Sequence, residues 1–268
     1  MQYMGSKNRI AKEIVPIIES YLTDDIEVYI EPFVGGANVI DKINFKNKVG
    51  YDIHEELVEL LKYTRDSSEK LPDEISESEY KKVRDAYKQN SSQYEKWYYG
   101  LVGFTASFGA KWFGGYAKGH KADKVTPRNY SNEAIRNLKK QAPNLKGIIF
   151  KQSSYNSIKL DNTKKAVIYC DPPYANTTKY KNNFAHNEFW EWVRTISKHH
   201  IVLVSEYQAP DDFEIIWEKS HKVSLGSGVN EAGQQLRVER LFKMKERDNL
   251  WTTLFYYTQM VLVVITNQ

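Results

Sequence analysis

Apolar residues in the first 64 positions switch repeatedly between helical and extended spacing. Residues 8–22 carry isoleucine and leucine at helical intervals, which predicts a helix, and Pro16 within it indicates a kink. The β-branched and aromatic content of 27–33 and 48–52 predicts strands, whereas helices are expected near 38–43 and over 55–64. This alternation of strands with helices is typical of an α/β sheet with parallel strands.

The alternation stops after residue 64 and resumes near residue 148. A polar, acidic stretch comes first, and helices are then predicted over 79–99 and 132–141, with Pro143 ending the second. The segment 100–119 between them is dense in glycine and aromatic residues. We therefore expect an insertion over residues 65–147.

The second half of the chain restores the α/β pattern. Its predicted elements are strands over 165–170 and 201–205, a helix over 187–197, and two late strands around 214–217 and 237–243. The simplest organisation is one α/β domain made of residues 1–64 and 148–247. A tail, residues 248–268, follows it, and we assign no role to this tail.

Composition narrows the class of protein. Cys170 is the single cysteine, which excludes a disulfide framework and a cysteine-based zinc site, so no metal is expected and a reducing, cytoplasmic setting follows. The chain starts with polar residues rather than a secretory signal. The apolar run within the tail, residues 250–265, has 16 residues and is shorter than the roughly 20 that a membrane span needs, so no membrane association is expected.

The net charge of +4 is unevenly distributed along the chain. The segment 96–146 contains 10 Lys and Arg but only 2 acidic residues, so the remainder is slightly acidic. Such a basic block indicates either an ordinary solvated surface or a face that binds a polyanion.

The first candidate ligand site follows the strand over 27–33. There the run Glu31-Pro32-Phe33-Val34-Gly35-Gly36 leads into a glycine pair, where the backbone can approach a ligand closely. Asp52 ends the next strand, 17 residues after Gly35, close to the spacing at which nucleotide-binding sheets place an acid on ribose hydroxyls. Each feature alone also fits a simpler role, a plain turn or a helix cap, but together they favour a bound nucleoside.

The run Asp171-Pro172-Pro173-Tyr174 is the most specific signal in the sequence. It follows an apolar strand and therefore lies at the strand's carboxyl end, where open α/β sheets bind ligands. The prolines stiffen the loop and leave carbonyl oxygens free to accept hydrogen bonds. The alternative is a proline-stiffened turn with a capping Asp. Cys170, inside the apolar strand, is expected to be a small buried side chain rather than a nucleophile.

These groups suit the methylation of an aromatic amine, whose lone pair is delocalised into the ring. The Asp171 carboxylate and the Pro172 carbonyl can hold the two hydrogens of the amine and stabilise the positive charge that develops on its nitrogen. Tyr174 can stack on the base. The methyl group then transfers in line from a sulfonium, with no covalent enzyme intermediate.

With these motifs in this order, the chain resembles the Dam-like DNA adenine methyltransferases, especially the compact versions carried by bacteriophages. Tyr3-Met4-Gly5-Ser6-Lys7 matches the family's first motif, commonly Trp-x-Gly-Gly-Lys, with Tyr3 and Ser6 as departures. The resemblance implies a Rossmann-like S-adenosylmethionine-dependent methyltransferase sheet with an inserted, mainly helical DNA-recognition domain containing a hairpin. It also implies a set of cofactor contacts: Tyr3, Met4, Gly5, Lys7, Glu31, Pro32, Phe33, Gly35, Gly36, Asp52, Ile53 and Asp171.

The resemblance further implies double-stranded DNA as the partner, a target adenine flipped out of the stack, and a monomer or weak dimer. The basic residues expected to contact phosphates lie in the insertion: Lys111, Lys118, Lys121, Lys124 and Arg128. Asn129 and Arg136 are candidates for reading bases. Trp112, Phe113 and Tyr116 either fill the gap left by the flipped base or pack a hairpin. The family's commonest target is GATC, and a partner restriction endonuclease is left open.

Three alternatives stay open on the sequence alone. The first is methylation of the N4 amine of cytosine or of an amine in RNA, against which the Asp of the Asp-Pro-Pro-Tyr motif counts by resemblance. The second is a DNA-binding protein without catalysis, which the intact Asp171 and Tyr174 disfavour. The third is a nicotinamide oxidoreductase, which the missing Gly-x-Gly-x-x-Gly pattern disfavours.

Overall fold

The computed structural model describes residues 1–120, 123–173, 184–223 and 235–246, and a mixed seven-stranded sheet forms its centre. The strands are β1 (Ile26–Glu31), β2 (Lys48–Asp52), β3 (Ile148–Gln152), β4 (Lys165–Cys170), β5 (Ile201–Glu206), β6 (Phe213–Val223) and β7 (Gln235–Met244). Their spatial order is β3-β2-β1-β4-β5-β7-β6. The first five strands in this order are parallel, and β7 runs antiparallel to both of its neighbours, β5 and β6. The expected α/β sheet is confirmed.

Six α-helices accompany the sheet in the described part of the chain. They are α1 (Ala11–Glu19), α2 (Glu55–Ser67), α3 (Glu77–Lys88), α4 (Lys96–Thr105), α5 (Tyr130–Leu145) and α6 (His186–Ile196). None of the helices in the described segments is both long enough and apolar enough to cross a membrane.

Both faces of the sheet are buried at the central strands β4 and β5, because side chains alternate along each strand and both sets are apolar. In β4, Val167 and Tyr169 join the core under α1, whereas Ile168 and Cys170 join the core under α6. This double burial explains the continuous apolar run that predicted the strand.

The order of the strands places a crevice between β1 and β4. The chain moves from β1 outwards to β2 on one side, while β4 leads to β5 on the other side. Connections leaving these two strands therefore diverge, which opens a crevice at their carboxyl ends. Ile30 of β1 pairs with Ile168 of β4, so the two strands end at the same edge of the sheet.

Residues between β2 and β3 build a separate core on one side of α2. Leu57 and Leu60 of α2 pack with Tyr80 of α3, Leu101 of α4 and Leu138 of α5. The expected hairpin is reduced to isolated antiparallel bridges, one between Ser107 and Tyr116 and one between His120 and Pro127. Helix α2 thus packs against the sheet on one side and against the inserted segment on the other.

Two helix predictions in this part of the chain differ from the structure. The helix expected over 79–99 is two helices, because Asn90 adopts a left-handed φ of 52° and ends α3. The helix expected to end at Pro143 continues to Leu145. A proline so close to the end of a helix removes one hydrogen bond from the last turn and does not interrupt a longer run.

The helix expected near 38–43 is wrong, since these residues form consecutive turns. Ala37 has a left-handed φ of 55°, which is incompatible with a helix starting there. The Asn38 side chain donates a hydrogen bond to the Ser6 hydroxyl at 2.8 Å and so ties these turns to the first residues of the chain.

Strand β3 was not predicted at all. Its outer face is solvent-exposed at Ile149, and its sequence mixes apolar with polar residues, so its periodicity is weak.

Candidate active site

A cavity of about 2090 Å³ opens at the carboxyl ends of the parallel strands. Its volume exceeds the roughly 300–1,000 Å³ of an ordinary small-molecule pocket, which leaves room for two ligands side by side. Its lining includes every residue that the sequence assigned to the cofactor, together with the first part of the proline motif: Tyr3, Met4, Gly5, Lys7, Glu31, Pro32, Phe33, Gly35, Gly36, Asp52, Ile53, Asp171, Pro172 and Pro173. Tyr174 lies outside the described residues.

Asp171 follows β4 directly and faces this cavity rather than the core. Its carboxylate Oδ1 lies 2.9 Å from the Nζ atom of Lys7, and its side chain keeps 21% of its surface exposed. Lys7 is 6% exposed, and its Nζ atom also lies 3.6 Å from a carboxylate oxygen of Glu239 on β7. Burial by itself would lower the pKa of the Lys7 ammonium, but the Asp171 and Glu239 carboxylates outweigh it, so the pKa is raised.

The first residues of the chain bring Lys7 into the site. Gly5 adopts a left-handed φ of 82° in a turn, and Lys7–Arg9 then form a single turn of 3-10 helix. The Ser6 hydroxyl caps this turn by accepting a hydrogen bond from the Asn8 amide. The motif therefore shapes the backbone, and its lysine pairs with the Asp171 carboxylate.

The glycine pair after β1 permits both the turn of the backbone and the close approach of the Tyr3 side chain. Gly35 has a left-handed φ of 48°, and a Cβ atom built on it would lie 3.0 Å from the Tyr3 ring. A Cβ atom on Gly36 would lie 2.8 Å from the Tyr3 side chain. The glycines thus admit Tyr3 beside the turn, which the sequence alone did not suggest.

Asp52 connects the glycine turn to the start of α2. One carboxylate oxygen accepts a hydrogen bond from the Gly35 amide at 3.0 Å and the other accepts one from the His54 amide at 3.0 Å. Burial raises the pKa of Asp52, although the backbone N–H groups oppose this. A carboxylate has about four acceptor sites, so Asp52 retains at least one that can accept a hydrogen bond from a ligand hydroxyl.

Two buried groups at the ends of β1 and β4 are held inside the protein. Glu31 accepts a hydrogen bond from the Tyr29 hydroxyl at 2.7 Å, and burial raises its pKa well above the usual value. Cys170 is fully buried, and burial raises the pKa of its thiol well above the usual value. A thiol in this state is not a nucleophile, which agrees with its expected structural role.

The sequence did not identify several residues of the cavity wall. Ser153, Ser154 and Tyr155 follow β3, and Tyr207 follows β5. Phe33 packs against the Tyr155 ring with a centroid distance of 5.4 Å, so an aromatic wall faces the cavity. The sequence would have indicated Ser153, Ser154 and Tyr155 if β3 had been recognised as a strand, because these residues follow its carboxyl end.

Gln141 of α5 contacts the glycine turn from the insertion side. Its side-chain amide donates to the carbonyl oxygens of Gly36 and Ala37, both at 3.1 Å, and to Asp41 at 2.8 Å. The last helix of the insertion is therefore hydrogen-bonded to the backbone of the cofactor-side loop.

The aromatic candidates of the insertion pack inside it. Trp112 lies 4.3 Å from the His54 ring and fills the space beside Gly103, where a Cβ atom would lie 2.4 Å from its ring. Phe113 and Tyr116 pack on the Tyr80 ring at centroid distances of 5.7 and 5.6 Å. All three side chains therefore pack within the insertion and stay partly exposed, and their contact with DNA stays a prediction.

Two of the predicted DNA contacts are engaged within the protein. Arg128 pairs with Glu133 at 2.7 Å, and the Asn129 side chain caps α5 by accepting a hydrogen bond from the Asn132 amide. Pairing with neighbouring residues decides where the side chains of Arg128 and Asn129 lie, and the sequence alone does not specify this pairing.

The remaining predicted DNA contacts lie on the surface. Lys111, Lys124 and Arg136 are exposed, and the Lys118 ammonium forms a surface ion pair with Glu77 at 2.7 Å. Lys121 lies outside the described residues.

Comparison with known proteins shows the family to which the chain belongs. A family model described as the D12 class of N6 adenine-specific DNA methyltransferases matches residues 3–208. The chain belongs to this family. Membership confirms the expected reaction, adenine methylation in DNA, and the expected cofactor, S-adenosylmethionine.

Individual relatives of this D12-class methyltransferase are distant. Type II methyltransferase M.MjaIII of Methanocaldococcus jannaschii is 26% identical over 206 residues, which cover 67% of this chain and 70% of that protein.

Two solved structures described as methyltransferases also match. SMU.472, solved with SAH, has a TM-score of 0.36 and 12% identity; the match covers 92% of this chain and 54% of that one. The other, from Thermoplasma acidophilum, has a TM-score of 0.29 and 9% identity, with 83% and 69% covered. The chain thus spans about half the length of SMU.472. The fold assignment rests on the strand order of this chain, since both scores are below 0.5.

The residues of the cavity fit S-adenosylmethionine. The cofactor combines a ribose, a flat purine and a positively charged sulfur. Asp52 offers free acceptor sites to ribose hydroxyls, and Ile53 beside it is 69% exposed, which is unusual for a large apolar side chain in a cavity. The described residues contain no group of three or more His, Cys, Asp or Glu side chains placed to hold a metal ion.

Proposed function

We propose that this chain transfers a methyl group from S-adenosylmethionine to the N6 amine of an adenine flipped out of duplex DNA, with Asp171 and Pro172 holding that amine. One observation carries the proposal: the Asp171 carboxylate opens on the same cavity as Asp52 and the glycine turn. A carboxylate turned into the core would have left the amine without its acceptor.

The cofactor side of the cavity is assigned to the ends of β1, β2 and β3. Asp52 would hold the ribose hydroxyls, and Ile53 with Tyr155 would cover the purine. Tyr3 would pack beside the glycine turn that it already contacts. S-adenosylmethionine, when bound, supplies an electrophilic methyl group on a positively charged sulfur.

The protein's own groups prepare the amine for attack. The Asp171 carboxylate accepts one amine hydrogen and the Pro172 carbonyl accepts the other, which draws the nitrogen towards tetrahedral geometry. When the amine takes the methyl group that the cofactor would supply, these two acceptors stabilise the positive charge on the nitrogen, and one of the two held protons is then released to water. The Asp171 carboxylate, 2.9 Å from the Lys7 ammonium, is oriented for this before the base arrives.

The DNA-recognition role falls to residues 65–147, with residues 1–64 and 148–247 as the catalytic domain. Exposed cations of the insertion, Lys111, Lys118, Lys124 and Arg136, would contact phosphates or bases. Phe108, which is 66% exposed beside the Ser107–Tyr116 bridge, is a further aromatic candidate for contact with the duplex.

The test is to identify the methylated nucleoside. The protein is incubated with S-adenosylmethionine and unmethylated genomic DNA, the DNA is digested to nucleosides, and the products are separated by mass spectrometry, with total RNA as the parallel substrate. N6-methyladenine from DNA alone is expected, and sequencing of the modified sites then gives the target, with GATC the first sequence to examine. N4-methylcytosine, or methylation of RNA instead, contradicts the proposal.

A further inference from the structure

Two exposed cations in the wall of the active-site cavity, Arg9 and Lys140, have no ion-pair partner among the residues that the structure describes. We propose that they form a phosphate-binding pair, which holds the DNA strand of the target adenosine at the mouth of the cavity. This inference rests on the proposed function, because it takes an adenine to be flipped into the cavity. Neither residue is among the DNA contacts predicted from the sequence.

The other lysines and arginines of the described cavity wall are already paired. Each of these four forms an ion pair with a carboxylate: Lys7 with Asp171, Lys42 with Asp41, Arg128 with Glu133, and Lys219 with Glu13. Glu13, which follows Arg9 by four residues, is thus engaged elsewhere, and no acidic residue lies three or four positions from Lys140 on α5. Arg9 and Lys140 are therefore available to a ligand that brings its own negative charge.

Hydrogen bonds to one short run of backbone hold both cations in place. Ser6, three residues before Arg9, accepts a hydrogen bond from the Asn38 side chain at 2.8 Å. Gln141, next to Lys140, donates to the carbonyl oxygens of the two residues before Asn38, both at 3.1 Å. One cation thus comes from the first residues of the chain and the other from the insertion, and both are anchored at the glycine turn.

Both residues belong to elements that border the reacting group. Arg9 lies in the same turn of 3-10 helix as the lysine that contacts Asp171, two residues after it. Lys140 lies on the face of α5 that lines the cavity, since Asn137 and Gln141, three residues before and one residue after it, line the cavity as well. A ligand that contacts both cations therefore spans the catalytic part and the insertion.

A phosphodiester strand is the ligand that these positions suit. An extruded adenosine stays bonded to the phosphates on its two sides, so a base that reaches Asp171 brings them to the mouth of the cavity. Arginine binds phosphate through paired N–H donors and lysine binds it as a point charge. S-adenosylmethionine also has a carboxylate, but an ammonium group on the same carbon would be repelled by a pair of cations.

The first experiment measures whether the two cations contact phosphate at all. Arg9→Gln and Lys140→Gln are compared with Lys12→Gln and Lys146→Gln, which change exposed lysines outside the cavity wall. Fluorescence anisotropy follows the binding of labelled fragments of unmethylated genomic DNA over a range of salt. We expect the slope of log affinity against log salt to fall by about 0.9 for each cavity variant and to stay unchanged for the controls. Calorimetric affinity for S-adenosylmethionine should stay within about twofold in all four.

The second experiment locates the contact on the strand. The DNA is a duplex with the target sequence found by sequencing the modified sites, and the phosphates on both sides of the target adenosine are made neutral as methylphosphonates. This change should weaken binding to the native protein by about 10-fold, and binding to the double variant of Arg9→Gln and Lys140→Gln by less than about twofold, because the contact is already lost. Methylphosphonates placed at the end of the duplex are the control and should affect both proteins equally.

Three results overturn the proposal: an unchanged salt slope in the cavity variants, an equal effect of the flanking methylphosphonates on the native protein and the double variant, or a fall in affinity for S-adenosylmethionine. The last would assign the two cations to the cofactor or to the stability of the fold. Failure of the proposed function has a different signature. A reduced slope without N6-methyladenine refutes the reaction alone, whereas N6-methyladenine with an unchanged slope refutes only the phosphate-binding pair.

Discussion

The edge of the sheet and the inserted segment use their charged residues in different ways. At the edge, Lys7 is 6% exposed and its partner Asp171 is 21% exposed. In the insertion, the ion pair of Lys118 with Glu77 is 64% and 36% exposed, and that of Lys139 with Asp73 is 30% and 89% exposed. Breaking a buried pair leaves an uncompensated charge, whereas exposed pairs contribute little individually. Function should therefore depend on single residues at the edge and on the sum of many residues in the insertion.

The sharpest test of this contrast is Asp171→Asn, which keeps the shape of the side chain and removes its charge. We expect the rate of methyl transfer to fall by about 10²–10³-fold, because the amine loses an acceptor that stabilises its developing charge. Affinity for DNA should remain within about threefold, since the residue lines the cavity and is not one of the proposed phosphate contacts. Rapid-quench kinetics and fluorescence anisotropy measure the two quantities.

Asp161→Asn is the matched control for this variant. Asp161 lies in the turn before β4, at the opposite end of the strand from Asp171, and accepts hydrogen bonds from the amide and the hydroxyl of Thr163. It should leave the rate unchanged. If Asp171→Asn kept the full rate of methyl transfer, function would not depend on this single residue at the edge of the sheet.

The same contrast separates what the sequence could predict from what it could not. The Asp171-Pro172-Pro173 loop and the Gly35-Gly36 turn were predictable because each is specified by a few consecutive residues and the strand before them. The pairing of Lys7 with Glu239 was not, since it joins the first turn of the chain to the last described strand. The sequence carries no local sign of such a contact.

Packing, rather than the sequence pattern, also decides which aromatic side chains of the insertion are exposed. Trp112 and Tyr116 stood beside Phe108 in one glycine-rich segment, and nothing local distinguished them. In the structure, Trp112 occupies the space left open by Gly103, which is 9 residues earlier on a different element, while Phe108 remains 66% exposed. The space beside Gly103 could be recognised only when the position of α4 was known.

A second prediction tests this division among the aromatic residues. Trp112→Ala should lower the free energy of unfolding by about 3 kcal/mol, the lower end of the range for a tryptophan removed from a core, because the ring is only half-buried. Phe108→Ala should change it by less than about 0.5 kcal/mol and should instead weaken DNA binding. Urea denaturation and fluorescence anisotropy distinguish the two. A stable Trp112→Ala variant with impaired DNA binding would return Trp112 to the DNA surface.

A third prediction concerns cofactor affinity at the edge. Asp52→Asn replaces one carboxylate oxygen with an amide that cannot accept the hydrogen bond now donated by Gly35 or His54. We expect the affinity for S-adenosylmethionine to fall about 10-fold, the loss typical of a hydrogen bond to a charged group. Asp73→Asn, on the exposed side of the insertion, should leave calorimetric affinity unchanged. Unaltered affinity in Asp52→Asn would show that the carboxylate only connects two loops.

The smallest effects are expected from the cations of the insertion. Removing one phosphate contact releases about one counterion fewer, so Lys118→Gln and Lys124→Gln should each reduce the slope of log affinity against log salt by about 1. Lys165→Gln is the control, because that lysine pairs with Asp25 at the amino end of β4, on the far edge of the sheet. If the two insertion variants keep the original slope and Lys165→Gln reduces it, DNA lies against the other edge. The exposed pairs of the insertion would then serve only its own stability, and the contrast in charge use would say nothing about recognition.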